Sequence, residues 1–309
     1  MKVAVVGSNG FLGSHLTKKI SQIPGISLFL FGRSEASIFG DRFPYAKIDI
    51  TNRESVLAHF ADIDTVYYLA SATIPATSWE RPTVEIEQNL LPFINFLESL
   101  SSLKIRKFVF ISSAGTIYGR TEHAAKETSF TSPFSPYGIT KLTMEFFLNY
   151  FNARCNINFD VYRVSNVYGE GQDVNKGMGI INTFLEHIVS NSSIHVFGNG
   201  ENVRNYLYAD DFAELLTLSL RAGSQSEVYN VSSNDTVSIN ELVSIIKSVV
   251  DENFEVKYIP SRQSDNPAIY IDNSKIRTAF PAFKFTGLEE GILKTYQYIK
   301  KRAAPAVNR

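Results

Sequence analysis

Tyr137 and Lys141 stand four residues apart in the run Ser135-Pro136-Tyr137-Gly138-Ile139-Thr140-Lys141. The residues that follow, through Leu148, Tyr150 and Phe151, keep helical apolar spacing, and positions i and i+4 of a helix share one face. Phenol and ammonium would therefore meet at one point. An ammonium nearby favours phenolate over phenol, which draws a group that ordinarily titrates at about 10 toward neutral pH, where it can exchange a proton with a substrate. The pair is an acid/base device. Tyr-x-x-x-Lys is too short to be specific, so its meaning rests on the elements that position it.

Those elements alternate. Apolar, β-branched runs at Val3–Val6, Ser27–Phe31, Thr65–Leu69, Lys107–Ile111 and Phe159–Val164 are separated by helical patterns. The runs are continuous rather than alternating, which is how strands covered on both faces read, and this predicts a doubly wound α/β fold on a parallel sheet. After Gly169 the rhythm changes, with glycines at 169, 171, 177, 179, 198 and 200 around a helical pattern from Ile180 to Val189. A helix from Asp210 to Arg221 and a strand at Val228–Val231 then resume the first pattern. Shorter helices and an isolated strand follow from Thr236. The expected organisation is a nucleotide-binding domain over 1–169, rejoined by 205–235, and a smaller α/β lobe from 170–204 and 236–300. Residues 301–309 read as a tail, with fraying from Lys300 onward.

Gly7-Ser8-Asn9-Gly10-Phe11-Leu12-Gly13 follows the first strand and opens a helix. In that context Gly7 allows a tight turn, Gly10 lets a pyrophosphate approach the backbone, Gly13 lets helix pack on strand, and the helix N-terminus offers unpaired N–H groups. A dinucleotide site is expected there. An NAD site wants an acid at the end of the second strand, whereas the 2′-phosphate of NADP wants an arginine. This chain has Phe31-Gly32-Arg33-Ser34, with no acid before Glu35. NAD and NADP both stay open, and Asp49-Ile50 would lie near the adenine.

Composition excludes other classes. Charged residues make up 20% of the 309 and the net charge is -1, so no electrostatic footprint for nucleic acid or an acidic membrane is present. Cys155 is the single cysteine, which rules out an intrachain disulfide and fits a reducing compartment. No apolar run approaches the roughly 20 residues of a membrane span, and Met1-Lys2 leads directly into a strand without a signal-peptide layout. A soluble, cytoplasmic protein is expected. The five histidines have no metal-ligand spacing, and no nucleophile elbow or phosphate-loop lysine occurs. Hydrolase, kinase and metal-site readings therefore lose.

Taken in order, the glycine turn, Asp49-Ile50, Leu69-Ala70-Ser71, Asn89, Ser112-Ser113-Ala114-Gly115-Thr116-Ile117-Tyr118-Gly119, Tyr137 with Lys141, Arg163–Gly169 and Val203-Arg204-Asn205-Tyr206 cover nearly the whole chain. In these features the chain resembles the extended short-chain dehydrogenase/reductases, within them the nucleotide-sugar epimerase/dehydratase group. The resemblance implies a Rossmann sheet with a substrate-binding lobe, and NAD or NADP held by Gly7, Asn9, Gly10, Phe11, Leu12, Gly13, Arg33, Ser34, Asp49, Ile50, Leu69, Ala70, Ser71, Asn89 and Val164 together with Tyr137 and Lys141. It makes Tyr137 the base for a sugar 4-hydroxyl. Lys141 would lower its pKa and hold the nicotinamide ribose. Asn166, Arg204 and Arg262 would hold the diphosphate of a UDP- or dTDP-hexose, with Val196 and Phe197 against the base.

Many epimerases of this group carry Ser or Thr where this chain has Ala114. Strand alternation favours Thr116 as the substitute, with Ser113 as the alternative. Gly115-Thr116 stands where the group's dehydratases carry an acidic pair, which disfavours dehydration. Two readings remain: a C4 epimerase, and a NADPH-dependent reductase of a nucleotide-linked 4-keto-6-deoxyhexose, the latter suggested by Arg33 and Ala114. Relatives pair the helices corresponding to Asn89–Leu103 and Lys141–Ala153 across a dimer axis, so a homodimer is expected.

Overall fold

The computed structural model describes residues 1–121, 123–221, 226–261 and 270–304. Six strands come first: β1 (Lys2–Val6), β2 (Ser27–Gly32), β3 (Tyr45–Lys47), β4 (Thr65–Tyr68), β5 (Lys107–Ser113) and β6 (Phe159–Val164). The chain then passes through β7 (Asn166–Tyr168), β8 (Ile194–Phe197) and β9 (Val203–Tyr208) before β10 (Glu227–Val231). β10 joins the first six in one seven-stranded sheet of order β10-β6-β5-β4-β1-β2-β3, parallel at every pairing. Continuous apolar runs thus gave the outcome their pattern predicts: β4 and β6 are buried along their whole length.

Side-chain alternation divides the core into two layers. Ala4, Val6, Val66, Tyr68, Phe108 and Phe110 face Phe60, Phe93, Phe96, Leu148 and Phe151 on one side. Val3, Val5, Tyr67, Val109 and Ile111 face Leu16, Ile20, Phe212 and Leu216 on the other. Fully burying one such apolar side chain contributes about 1.5–3 kcal/mol, so the sheet is held rigidly between its helices. The strand order reverses between β1 and β4. At that switch point the carboxyl ends of neighbouring strands diverge and leave a crevice, the usual ligand site of an open α/β sheet.

A second core gathers Tyr168, Phe184, Leu185, Val196, Tyr206, Tyr208, Leu242, Ile246, Ile292 and Tyr296. β9 joins the two halves: Leu207 packs into the main core while Tyr206 and Tyr208 enter the second. The strand read from sequence as isolated, β12 (Val256–Ile259), pairs in parallel with β8, and β11 (Thr236–Ser238) pairs antiparallel with β9. One expectation is corrected. The last helix runs from Leu288 to Ala303, past the expected fraying at Lys300. Its end is fastened by charge rather than apolar packing, with Lys300 donating to Glu252 at 2.9 Å and Arg302 paired with Glu186. Residues 305–309 lie outside the described residues.

Candidate active site

The crevice begins at the glycine turn. Gly7 has φ +93°, a conformation L side chains rarely adopt, and a Cβ there would sit 2.9 Å from the Ala70 nitrogen. At Gly13 a Cβ would lie 2.1 Å from the Gly7 carbonyl oxygen, so only glycine lets the helix Phe11–Ile20 lean on the end of β1. Gly10 caps that helix without a side chain, and its first turn holds no acid. The N–H groups of Phe11, Leu12 and Gly13 therefore form a positive, side-chain-free cradle suited to a pyrophosphate. Asn9 is spent on structure: its amide donates to the Ala36 carbonyl at 2.8 Å and accepts from the Ile38 N–H at 3.2 Å, which pins the loop after β2.

On that loop Arg33 and Ser34 are exposed, and Arg33 makes no ion pair among the described residues. Glu35, the first acid after β2, is paired with Lys47. Asp49 is exposed, and the N–H and hydroxyl of Thr51, donating at 2.9 and 2.7 Å, hold its carboxyl below the usual carboxylate range. Ile50 packs against the main core. After β4, the Leu69 N–H donates to Val6 at 2.9 Å, which keeps Leu69, Ala70 and Ser71 beside the glycine turn. Asn89 is fully engaged. It accepts from the Ala72 N–H at 2.8 Å and donates to Thr73 at 2.8 Å and to Glu85 at 3.1 Å, so it braces this loop.

β5 ends at Ser113, opposite Val164 at the end of β6. Residues 114–117 form a helical turn, so the alternation that favoured Thr116 does not apply. The turn nonetheless keeps Thr116 as the candidate. Its hydroxyl is buried and without a hydrogen-bond partner, whereas Ala114 packs in a small cluster with Tyr118, Ala125 and Ile271. Ser113 is half-buried and makes no capping bond.

The helix Pro136–Cys155 starts on this turn. Proline in its first turn and Ser135, whose hydroxyl accepts from the Gly138 N–H at 3.1 Å, fix the start. A Cβ on Gly138 would be 2.5 Å from the Thr116 carbonyl oxygen. Backbone thus meets backbone where Tyr137 and Thr116 stand. Four residues on, the Lys141 ammonium lies 5.6 Å from the Tyr137 ring centroid and 4.8 Å from that of Phe110, and donates to the Ile111 carbonyl at 3.0 Å.

The electrostatics differ from the expectation that Lys141 depresses the phenol. Burial, then the charge of Glu85, pushes the Tyr137 hydroxyl up from its ordinary value; the ring is only half-buried, so solvent moderates the rise. Burial draws Lys141 down to about 8, opposed by Glu85 and Glu145. Tyr137 is therefore a proton-holding phenol here. Glu85 carried no sequence signal beyond its place four residues before Asn89, and it was missed.

In the second half, Asn166 is exposed and donates to the Asn205 carbonyl at 3.0 Å, tying β7 to β9. Arg204 is half-buried on β9. Val196 is fully buried in the second core, which removes its side chain from any contact with a nucleotide base. Phe197, next along β8, is half-buried. Arg262 lies outside the described residues. No cluster suited to a metal ion and no helix long and apolar enough to cross a membrane occurs among the described residues.

Known proteins agree with this geometry. The model of the NAD dependent epimerase/dehydratase family matches residues 3–232. A UDP-glucose 4-epimerase of Mycolicibacterium smegmatis is 25% identical over 98% of this chain and 100% of its own. A dTDP-4-dehydro-6-deoxyglucose reductase of Escherichia coli is 24% identical over 96% and 97%. Among solved structures, the UDP-glucose 4-epimerase of Thermotoga maritima with UDP-glucose superposes with a TM-score of 0.91 at 28% identity, covering 98% of this chain and 99% of that one. The corresponding enzyme of Thermus thermophilus in complex with NAD gives 0.87 at 26% identity, with 98% and 100% covered. A glycine cradle at a strand-order switch, a buried lysine one turn beyond a tyrosine, and a family model spanning the sheet lead to one conclusion: the chain belongs to the NAD dependent epimerase/dehydratase family.

Proposed function

We propose that this protein inverts the configuration at C4 of a UDP- or dTDP-linked hexose, with NAD as a resident cofactor. The observation that carries this reading is the seating of Tyr137 on the Thr116 turn, with Lys141 buried beneath it at the end of β5. When bound, NAD supplies the hydride acceptor and donor. The chain's own residues do the rest. The uncapped helix after Gly10 and the loop at Leu69–Ser71 hold the dinucleotide, and Val164, at the end of β6, is assigned to the same ligand. Tyr137, once ionised, takes the proton of the sugar 4-hydroxyl as the C4–H bond is broken and returns it when that bond re-forms on the other face. Thr116, or Ser113, relays that proton, and Lys141 holds the nicotinamide ribose. Asn166, Arg204 and Arg262 are assigned to the nucleotide diphosphate, and Phe197 to the base.

The division into a dinucleotide-binding part (1–169 with 205–235) and a substrate-binding part (170–204 with 236–300) belongs to the same proposal. So does a cytoplasmic homodimer. Ile139, Phe146 and Tyr150 lie along one face of the helix Pro136–Cys155 and are exposed, as are Ile86 and Leu91 beside it.

Incubation of the purified protein with UDP-galactose or its dTDP analogue, without added cofactor, tests the reading: the gluco epimer should accumulate, and NAD should be released on denaturation. A second reading is favoured by exposed Arg33 with no acid at the end of β2. In that case the isolated protein is inactive until NADPH and a nucleotide-linked 4-keto-6-deoxyhexose are supplied.

A further inference from the structure

Two buried carboxylates act on Lys141 through space without an ion pair among the described residues, Glu145 on its own helix and Glu85 on the segment packed against that helix, and they are not equivalent. Glu145, one turn further along the same helix, accepts from Nε of Arg163 at 3.1 Å on each oxygen and from its other guanidinium nitrogen at 2.6 Å. Arg163 in turn donates to Tyr118 at 2.7 Å. The negative charge of Glu145 is thus neutralised within its own network. Glu85 has no such partner. It is 2% exposed at the end of the short helix Pro82–Glu85, which packs on the helix carrying Tyr137 and Lys141. One of its oxygens accepts from the neutral amide of Asn89, and the other is buried with no hydrogen bond. Lys141, 7% exposed, gives one hydrogen bond to Ile111 and makes no ion pair among the described residues. A buried ammonium without an opposite charge loses its proton.

We propose that Glu85 is a positioning residue of this site: its buried carboxylate is the counter-charge that keeps Lys141 an ammonium beneath Tyr137. The groups around Lys141 are Tyr137 and Glu145 on its own helix, Glu85 on the segment packed against that helix, and the Ile111 carbonyl and Phe110 ring on β5. Of the two carboxylates among them, only Glu85 has no cationic hydrogen-bond partner among the described residues. The same charge opposes ionisation of Tyr137, so Glu85 holds both protons of the pair in place and sets the pH range over which they move. This inference rests on Tyr137 and Lys141 being the reacting pair.

The test separates the two claims, because the charge of Lys141 can be read without turnover. In protein labelled with 13C-lysine, the Lys141 Cε resonance, assigned by its loss in Lys141→Met, is followed against pH. Glu85→Gln keeps the contact with Asn89 and should move the midpoint down by about one pH unit or more, whereas Glu85→Asp keeps the charge and should move it less. In the turnover assay both limbs of the pH profile of Glu85→Gln should shift toward acid, since loss of the charge eases ionisation of Tyr137 and of Lys141 alike. An unmoved midpoint in Glu85→Gln overturns the proposal. So does a profile that drops in height without moving, which is what a packing role would give. Should Glu85→Gln fail to fold, the midpoint in Glu85→Ala, which also removes the charge, decides, and its equality with the wild type counts against the proposal. A shifted midpoint with no epimerase or reductase activity in the wild type would leave the role of Glu85 standing and remove the proposed reaction.

Discussion

Lys141 is both the most useful and the least comfortable residue of the site. Its folded-state value of about 8 lies below the ordinary 10.5 because burial disfavours the ammonium. Below about pH 8 both folded and unfolded chains hold the proton, and the charged form costs stability in full. Between about 8 and 10.5 the unfolded chain binds more protons, so stability rises with pH, and above that window the penalty is gone. The penalty is on the order of 3 kcal/mol at about 1.4 per pH unit, less about 1 for the bond to Ile111. Lys141→Met should therefore be inactive yet more stable at pH 7, by about 1–3 kcal/mol in urea unfolding, with the gain shrinking as the pH rises to 10.5. A variant less stable than the wild type at pH 7 would contradict this. Tyr137 and Lys141 were legible in the sequence because helical spacing alone aligns them. Glu85 was not, since a lone acid in a helical stretch has the same pattern whether it faces water or a lysine. Val196 was misplaced for a related reason: on β8 neighbouring residues alternate between core and surface, and only pairing with β12 shows which is which.

At the scale of elements, the site depends on how closely the helix Pro136–Cys155 approaches the turn at 114–117. Gly138 allows that approach, with Thr116 carbonyl oxygen 2.5 Å from where a Cβ would stand. Backbone cannot yield as a flexible side chain can, so Gly138→Ala must push the helix start off the turn. Tyr137 moves with it and Lys141, anchored one turn on, less so. A displacement of about 1 Å in a reacting group commonly lowers turnover by about 100-fold. The expected result for Gly138→Ala is a loss of that order in kcat with far-UV circular dichroism unchanged; activity within about threefold of wild type would show that this close approach is not what seats Tyr137. The parallel sheet and its helices were legible because burial on both faces leaves continuous apolar runs. The turn at 114–117 was not, because four residues are too few for a period, and the last helix was under-read because ion pairs, not apolar residues, hold Lys300 and Arg302.

For the whole molecule, the outer face of the same helix is where the proposed dimer would form. Phe146, 61% exposed, stands between Ile139 and Tyr150 on that face, with Ile86 and Leu91 adjoining. Large apolar side chains grouped in this way mark a contact surface rather than a solvated one. A second copy of the chain is a self-complementary cover, since a two-fold axis sets the same helix against itself. Phe146→Glu would place a charge at the centre of each copy's patch, and burying two like charges there is far more costly than forgoing the burial of one aromatic ring. The wild type should sediment as a dimer at micromolar concentration and unfold at a temperature that rises with protein concentration. The variant should sediment as a monomer, with an unfolding midpoint that no longer depends on concentration. Because Phe146 lies outside both layers of the main core, its far-UV spectrum should match the wild type. A wild type that sediments as a monomer would remove the dimer from the proposal while leaving the chemistry at Tyr137 untouched, since every group assigned to that chemistry comes from one chain.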